Sequence, residues 1–449
     1  MDIWLAQGLS ILKYKTFSPP ETRIWGETLE NIYPAWGAAI IYALIEKTFH
    51  PWGREAIGLF HKLVLLFVLA ILYFKTLRPM NYVWTAKNIL LICLSFFGLS
   101  YLFSDRPALL ALVPFLLFYY ELEDQKKWTF KRYCRLFIYT VLWINIHGSA
   151  ILVLPMVFWH LIFRPSIEKK PYGILGFASL FVLMLNPFGG KIYFYTWQTA
   201  VISTERFMGE WRSPFYFDSP ANDGAYFLWL VLLIILIIKN KRWNYFKNSA
   251  FPLTLLGLTA ERQIVWAFLL IIPCWIVDRE KAKEETKSFL NGFIVSILLL
   301  AIILLNPFKR FEFIENFLST TFPRYSLTKQ YPHESLQFLK RCLLNGPIFN
   351  SLEIGGWLEL YSQNKVFFDA RNIIFADEKF QDFRFIVSAR EGWEKILQKY
   401  SINLMLLTKE DSKNLERNIN NKSNWNILVN EPLYQLWGSD EIFKNCERK

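Results

Sequence analysis

Cysteine is scarce in this sequence and badly spaced for a metal. Cys93, Cys134, Cys274, Cys342 and Cys446 include no C-x-x-C pair, which argues against a zinc site. No Walker loop, G-x-S-x-G elbow or H-E-x-x-H helix occurs, so ATP hydrolysis and serine or zinc proteolysis are disfavoured. The start lacks a basic n-region ahead of an apolar core and does not read as a signal peptide. Acidic residues are the minority charge, 38 against 50 Lys and Arg. The basic residues fall in short loops between apolar runs, which is a topology signal and not a polyanion footprint. No nucleic-acid partner is expected.

Apolar and aromatic residues are abundant: 53% of the chain is hydrophobic, with 41 Phe, 21 Tyr and 18 Trp. That exceeds soluble usage and predicts a polytopic α-helical membrane protein with a C-terminal soluble α/β domain. Residues 1–56 read as an outer-face region with interfacial amphipathic helices. Residues 57–307 hold about ten apolar runs, at 57–76, 88–104, 107–122, 136–147, 149–163, 172–186, 224–238, 250–260, 263–277 and 288–306. Several fall short of the roughly 20 residues a spanning helix needs. Nineteen Lys and Arg lie in the loops of one side against five on the other. The positive-inside rule makes the first side cytoplasmic and turns the tail, 308–449, outward. The expected location is the bacterial cytoplasmic membrane, multi-pass, with membrane lipids as partners. Cys342 and Cys446 are able to pair only if the tail meets an oxidising compartment.

That orientation sends Asp2, Asp105-Arg106-Pro107, Asn145-x-His147-Gly148, Asn186-Pro187-Phe188-Gly189, Glu210-Trp211-Arg212-Ser213-Pro214 and Glu261-Arg262 to the outer face. The polar break at Trp143–Ser149 inside an apolar run is tolerated in a bilayer only within protein or beside a wet cavity. In the tail, helix is expected over Glu334–Leu344, Trp357–Tyr361 and Phe380–Lys399. Strands are expected at Pro347–Asn350, Val366–Phe368, Leu404–Leu407, Ile427–Val429 and Tyr434–Leu436.

Asp-x-Trp at the start is followed by Arg-Pro, Trp-x-Asn-x-His-Gly, Asn-Pro-Phe-Gly, Glu-Trp-x-Ser-Pro and an outer-face Arg. Phe-Asn-Ser-x-x-x-Gly-Gly-Trp-Leu and Val-Phe-Phe-Asp-x-Arg close the series. Together they resemble a group of uncharacterised bacterial membrane proteins similar to the GT-C glycosyltransferases, such as protein O-mannosyltransferases and aminoarabinose transferases. The resemblance implies transfer of a sugar from a polyprenyl-phosphate carrier to an envelope glycolipid or protein acceptor on the periplasmic face. It also implies an acidic residue in the first outer loop that acts as base or binds a divalent metal. Asp2 is the position that matches. In that family a membrane helix precedes the loop, and none stands before Asp2 here.

Each candidate has an ordinary structural use beside the chemical one. Asp2 is the expected base toward an acceptor hydroxyl, or a terminal residue without a role. Arg106 and Arg262 match lipid phosphate with their guanidinium forks; Arg262 beside Glu261 also suits an ion pair. His147 suits a proton relay or metal. Asn145 suits a sugar hydroxyl, and both suit caps of a broken helix. Glu210, Trp211 and Arg212 suit a sugar platform or an interfacial anchor. Asp369 and Arg371, expected at a strand end, suit acceptor binding or a local salt bridge. The rival readings are a non-catalytic scaffold that presents a lipid-linked glycan and, third, a transporter. The transporter is disfavoured because no repeat or midplane polar cluster is visible.

Overall fold

The computed structural model describes residues 2–29, 32–72, 74–75, 106–124, 126–206, 248–257, 259, 263, 266, 269–270, 331–418 and 424–442. In chain order the helices are α1 (Asp2–Tyr14), α2 (Trp36–Thr48), α3 (Gly53–Leu72), α4 (Pro107–Glu123) and α5 (Phe130–Ile146). A 3-10 turn (Gly148–Leu152) then precedes α6 (Val153–Phe163), α7 (Ser166–Val182), α8 (Lys191–Glu205) and α9 (Ala250–Gly257). The tail runs α10 (His333–Arg341), β1 (Ile348–Asn350), α11 (Gly355–Tyr361), α12 (Asp377–Val387) and α13 (Trp393–Lys399). It ends with β2 (Leu404–Thr408), α14 (Lys409–Asn418), β3 (Trp425–Asn430) and β4 (Tyr434–Ser439). The chain divides into two compact units: residues Met1–Glu55 with Phe322–Lys449, and residues Ala56–Thr321.

The expectation of a polytopic, GT-C-like membrane protein is overturned. Among the described residues one helix, α3, is long and apolar enough to cross a membrane. The rest is mostly shorter helix with a small mixed sheet. Composition misled because apolar runs are not uninterrupted helices. The runs at 136–147 and 149–163, expected as separate, become α5, a 3-10 turn and an α6 of only 11 residues. The run at 107–122 yields 17 residues, and the run at 250–260 only 8. At 172–186, α7 stops at Val182 and a turn over Asn186–Gly189 follows. The runs at 88–104, 224–238 and 288–306 and most of 263–277 lie outside the described residues.

In the first unit the sheet order is β1-β2-β4-β3. β1 and β2 are parallel, and β2, β4 and β3 pair antiparallel with an irregularity between Ile427 and Val429. The expected strand at Val366–Phe368 is a correction: Val366 makes only isolated bridges, to Ile24 and Ile348. Its neighbours are served by a side chain. Asn350 Oδ1 accepts from the Phe367 and Phe368 amides at 2.9 and 3.4 Å, and its Nδ2 donates to Phe368 O at 2.8 Å. A buried backbone must find partners somewhere, and here an amide side chain extends the short backbone pairing that joins Ile348 to Lys365 and Phe367.

The N-terminal segment is bound into this same unit. Val366 N donates to Arg23 O, Trp25 N to Val366 O and Leu29 N to Ile374 O. α1 lies against α2, where a Cβ on Gly8 would collide with the backbone of Ala39. It also lies against α11, where a Cβ on Gly356 would stand 2.7 Å from Ile3 N. These glycines serve close approach, not a special turn.

The second unit has an aromatic core in which Phe115, Trp143 and Trp266 meet edge to face or tilted, with centroids 5.0–5.8 Å apart, a favoured ring geometry. Arg132, buried between α4 and α5, donates to the carbonyls of Glu121, Lys126 and Asp124 and so satisfies the end of α4. Large apolar side chains stand exposed on α3 (Leu59, Leu63, Leu66, Phe67), α7 (Ile174, Phe177, Phe181) and α8 (Phe194, Trp197).

Asn350→Leu keeps the volume but strips the Phe368 amide and carbonyl of their side-chain partner. It is expected to cost the first unit about 3 kcal/mol, read as a lower unfolding midpoint of the full chain in urea.

Candidate functional site

Two clusters of charged side chains flank α11 in the first unit. The first is built on Asp2. Because Gly356 lets α1 approach α11, the first turn of α1 is buried, and Asp2 is 8% exposed. Arg54, in the first turn of α3, donates from Nη2 to Asp2 Oδ1. Tyr331 donates its hydroxyl to Asp2 Oδ2 at 2.8 Å. Burial, with the Asp2 charge next to it, pushes the Tyr331 hydroxyl well above its usual range, so it stays a donor. Tyr331 stacks on Trp357 at 5.4 Å, and Tyr361 tilts against Trp357 at 5.5 Å. The Arg54 guanidinium lies 4.8 Å from the Tyr361 ring centroid and 5.6 Å from that of Tyr331. Arg54 Nε is buried without a hydrogen-bond partner.

The second cluster joins the N-terminal segment to the tail through Arg371. Its Nη1 donates to Glu21 at 2.8 Å, one Nη2 bond reaches Glu359 at 3.0 Å, and Nε donates to Asp369 at 2.9 Å. Tyr33 donates to the other Glu21 oxygen at 2.5 Å. Three carboxyls on one guanidinium leave an excess of negative charge. Burial, then the neighbouring Asp369 and Glu21, push Glu359 far above the carboxylate range, against the pull of Arg371. Burial also opposes the charge on Asp369, but Arg371 and hydrogen bonds from Arg371 and Glu359 outweigh it and hold the carboxyl low. Glu359 therefore carries the proton and shares it with Asp369, as like charges at one site require. Lys379 lies over Phe367 and Phe375, donates to Trp25 O at 2.5 Å, and is pushed down to about 8 by burial.

The candidates read from the sequence are placed as follows. Asp2 belongs to the first cluster, and Asp369 and Arg371 to the second. Asp369 is buried and Arg371 nearly so, which makes them a tie between segments; they do not stand at a strand end, since no strand forms there. Asn145 and His147 lie in the second unit as helix-end ligands. Asn145 Nδ2 donates to Val141 O and Leu185 O, both at 2.8 Å. His147 Nδ1 accepts from Ser149 N at 3.1 Å, and Ser149 Oγ receives the Trp143 indole N–H at 2.9 Å. Arg106 precedes α4 with extended backbone and accepts the Leu109 amide. Arg262, Glu210, Trp211 and Arg212 lie outside the described residues, as does Cys446; Cys342 is engaged in a disulfide.

Among the described residues no group of three or more His, Cys, Asp or Glu converges as for a metal ion. Asp2, the position expected to act as base or to bind a divalent metal, accepts from a guanidinium and a phenol. The sequence reading missed Arg54, Tyr331, Glu21 and Glu359. Arg54 had one visible signal, a lone cation opening the apolar run of α3. Tyr331 and Glu21 acquire meaning from contacts hundreds of residues away, and Glu359 from Arg371, 12 residues on.

The chain matches no protein-family model and no curated protein.

Arg371→Met strands a buried carboxylate pair and is expected to cost roughly 3–5 kcal/mol, seen as loss of the folded first unit by limited proteolysis. For Lys379 the folded group binds fewer protons than the unfolded one between pH about 8 and 10.5. Its penalty is full below that window and fades as pH rises through it. Thermal stability of the native chain relative to Lys379→Met should therefore climb from pH 8 to 10; a flat difference would refute the assignment.

Proposed function

We propose that this chain transfers a sugar from a polyprenyl-phosphate-linked donor to a hydroxyl acceptor of the bacterial envelope, with Asp2 as the group that takes the acceptor's proton. In the step so assigned, the acceptor oxygen bonds to the anomeric carbon. The bond from that carbon to the carrier phosphate breaks, its electron pair leaves on the lipid phosphate, and the acceptor proton passes to the Asp2 carboxylate.

The observation that carries this reading is the setting of Asp2. A buried carboxylate stands beside a guanidinium and a phenol, Arg54 and Tyr331, both of which donate to it. Beside it lie Tyr331, Trp357 and Tyr361, of which Tyr361 presents 37% of its surface to solvent. Aromatic faces suit the apolar side of a sugar ring, and a charged pair suits its polar leaving group. The exposed apolar residues of α3, α7 and α8 support work at a lipid surface. The reading puts the protein at the cytoplasmic membrane with its first unit on the periplasmic side. Cys342, engaged in a disulfide, supports an oxidising compartment.

A second reading has its own support. Both oxygens of Asp2 already hold donors, as befits a protein that binds or presents a lipid-linked glycan without catalysis. Mass spectrometry of envelope glycolipids and glycoproteins separates the two. Cells making Asp2→Asn at native protein level should lose one sugar from a specific glycan, by at least about 100-fold in rate if a general base is gone. A profile identical to that of the native chain, with a deletion strain differing from both, would move the non-catalytic reading ahead.

A further inference from the structure

Arg54, the cation of the first cluster, is incompletely bonded. It is 7% exposed, so its N–H groups must be served by protein or ligand. Its guanidinium lies over the rings of Tyr331 and Tyr361, and its hydrogen bonds leave from the guanidinium edge. Of that edge, Nη2 holds Asp2 while Nε holds nothing. A guanidinium edge is shaped for two acceptor oxygens in parallel, and Asp2 gives its second oxygen to Tyr331.

We propose that the Arg54 edge and the Tyr331 hydroxyl form a phosphate-binding site, and that Asp2 occupies it as a stand-in anion until a phosphate displaces it. A phosphate has oxygens for Nε, Nη2 and the Tyr331 hydroxyl at once, which one carboxylate with its two oxygens does not match. Arg54 also opens the N-terminal turn of the 20-residue α3, where the helix dipole favours an anion. Charge makes the exchange exclusive. Glu46 already adds its negative charge to that of Asp2 around Arg54, so a phosphate and an engaged Asp2 do not share one guanidinium. The exchange links binding to chemistry: the phosphate that takes Arg54 frees the carboxylate proposed above as base. The ligand class is a phosphate ester or free phosphate. The inference rests on the transferase reading for its lipid-phosphate source, while the site itself is tested by binding alone.

The test uses the full chain, with citronellyl phosphate as a short isoprenyl phosphate and inorganic phosphate as the second probe, by titration calorimetry. Removing the competing carboxylate and removing the cation move affinity in opposite directions. Asp2→Asn should bind the isoprenyl phosphate several-fold tighter than the native chain, and Arg54→Gln about tenfold or more weaker. A general loss of folding weakens both, so tightening in Asp2→Asn is a result that a merely structural ion pair does not produce. Equal binding of the two probes supports a site for phosphate itself, and binding of citronellyl phosphate alone supports the lipid source. Failure of both probes to bind, or weaker binding in Asp2→Asn, would overturn the proposal. Tighter binding in Asp2→Asn with unchanged cellular glycans would remove Asp2 as base and leave the phosphate site standing.

Discussion

The close approach of α1 to α11 is the contact on which the first unit depends. It requires that nothing larger than hydrogen stand at Gly356, because Ile3 N lies 2.7 Å from where a Cβ would be. It requires the same of Gly8 against Ala39 on the opposite side of α1. With both conditions met, the first turn of α1 is buried against the tail and Asp2 is carried in with it. A carboxylate taken out of water needs a cation and a donor. Arg54 and Tyr331 supply them from segments that α3 and the tail bring to the same place. Backbone proximity thus dictates an ion pair, and the ion pair defines a constellation where a candidate base, an incompletely bonded cation and aromatic rings meet.

The two clusters beside α11 illustrate how similar chemistry yields different prospects. Arg371 is surrounded: Glu21, Glu359 and Asp369 use its N–H groups, and a shared proton relieves the excess charge. Such a network fixes a segment in place and offers a ligand nothing to bind. Arg54 has one strong partner, two neighbouring rings and an idle Nε. Saturation, not charge or depth, separates the structural arginine from the one with capacity to spare.

Legibility followed the range of the interactions. Elements set by local pattern were readable: the helix at Glu334–Leu344 appears as α10, and the strand at Leu404–Leu407 as β2. The Gly-Gly pair was readable as the lead into a helix at Trp357–Tyr361, which in the structure starts at Gly355 itself. Its reason was not, since Gly356 answers to Ile3 and Gly355 to the backbone at Phe368 and Asp369. Val366–Phe368 has every local mark of a strand, yet its pairing with β1 stops at Ile348 and Asn350 serves Phe368 instead. Asp369 and Arg371 were visible as a charged pair, but Glu21, 350 residues from Arg371, turns them from a surface pair into a buried tie. The membrane architecture failed for a related reason. Hydropathy counts apolar residues along the chain and gives no helix length, and α5, α6 and α9 end at 17, 11 and 8 residues.

The same reasoning bears on why Asn145-x-His147-Gly148, the most conspicuous polar break in the sequence, is not where the charged chemistry collects. A helix end buried among apolar neighbours exposes amides and carbonyls that must be satisfied. Asn145 answers Val141 and Leu185, His147 answers Ser149, and Ser149 answers Trp143. Each polar side chain in the break thus serves a backbone group or one of its neighbours. Asp2 and Arg54 serve no backbone group in the bonds that define their pair; each is there for the other. A polar residue in an apolar context signals either repair of the backbone or a retained charge, and the hydrogen-bond partner distinguishes them. By that criterion the break at residues 145–149 is repair, and the pair at Asp2 and Arg54 is the retained charge.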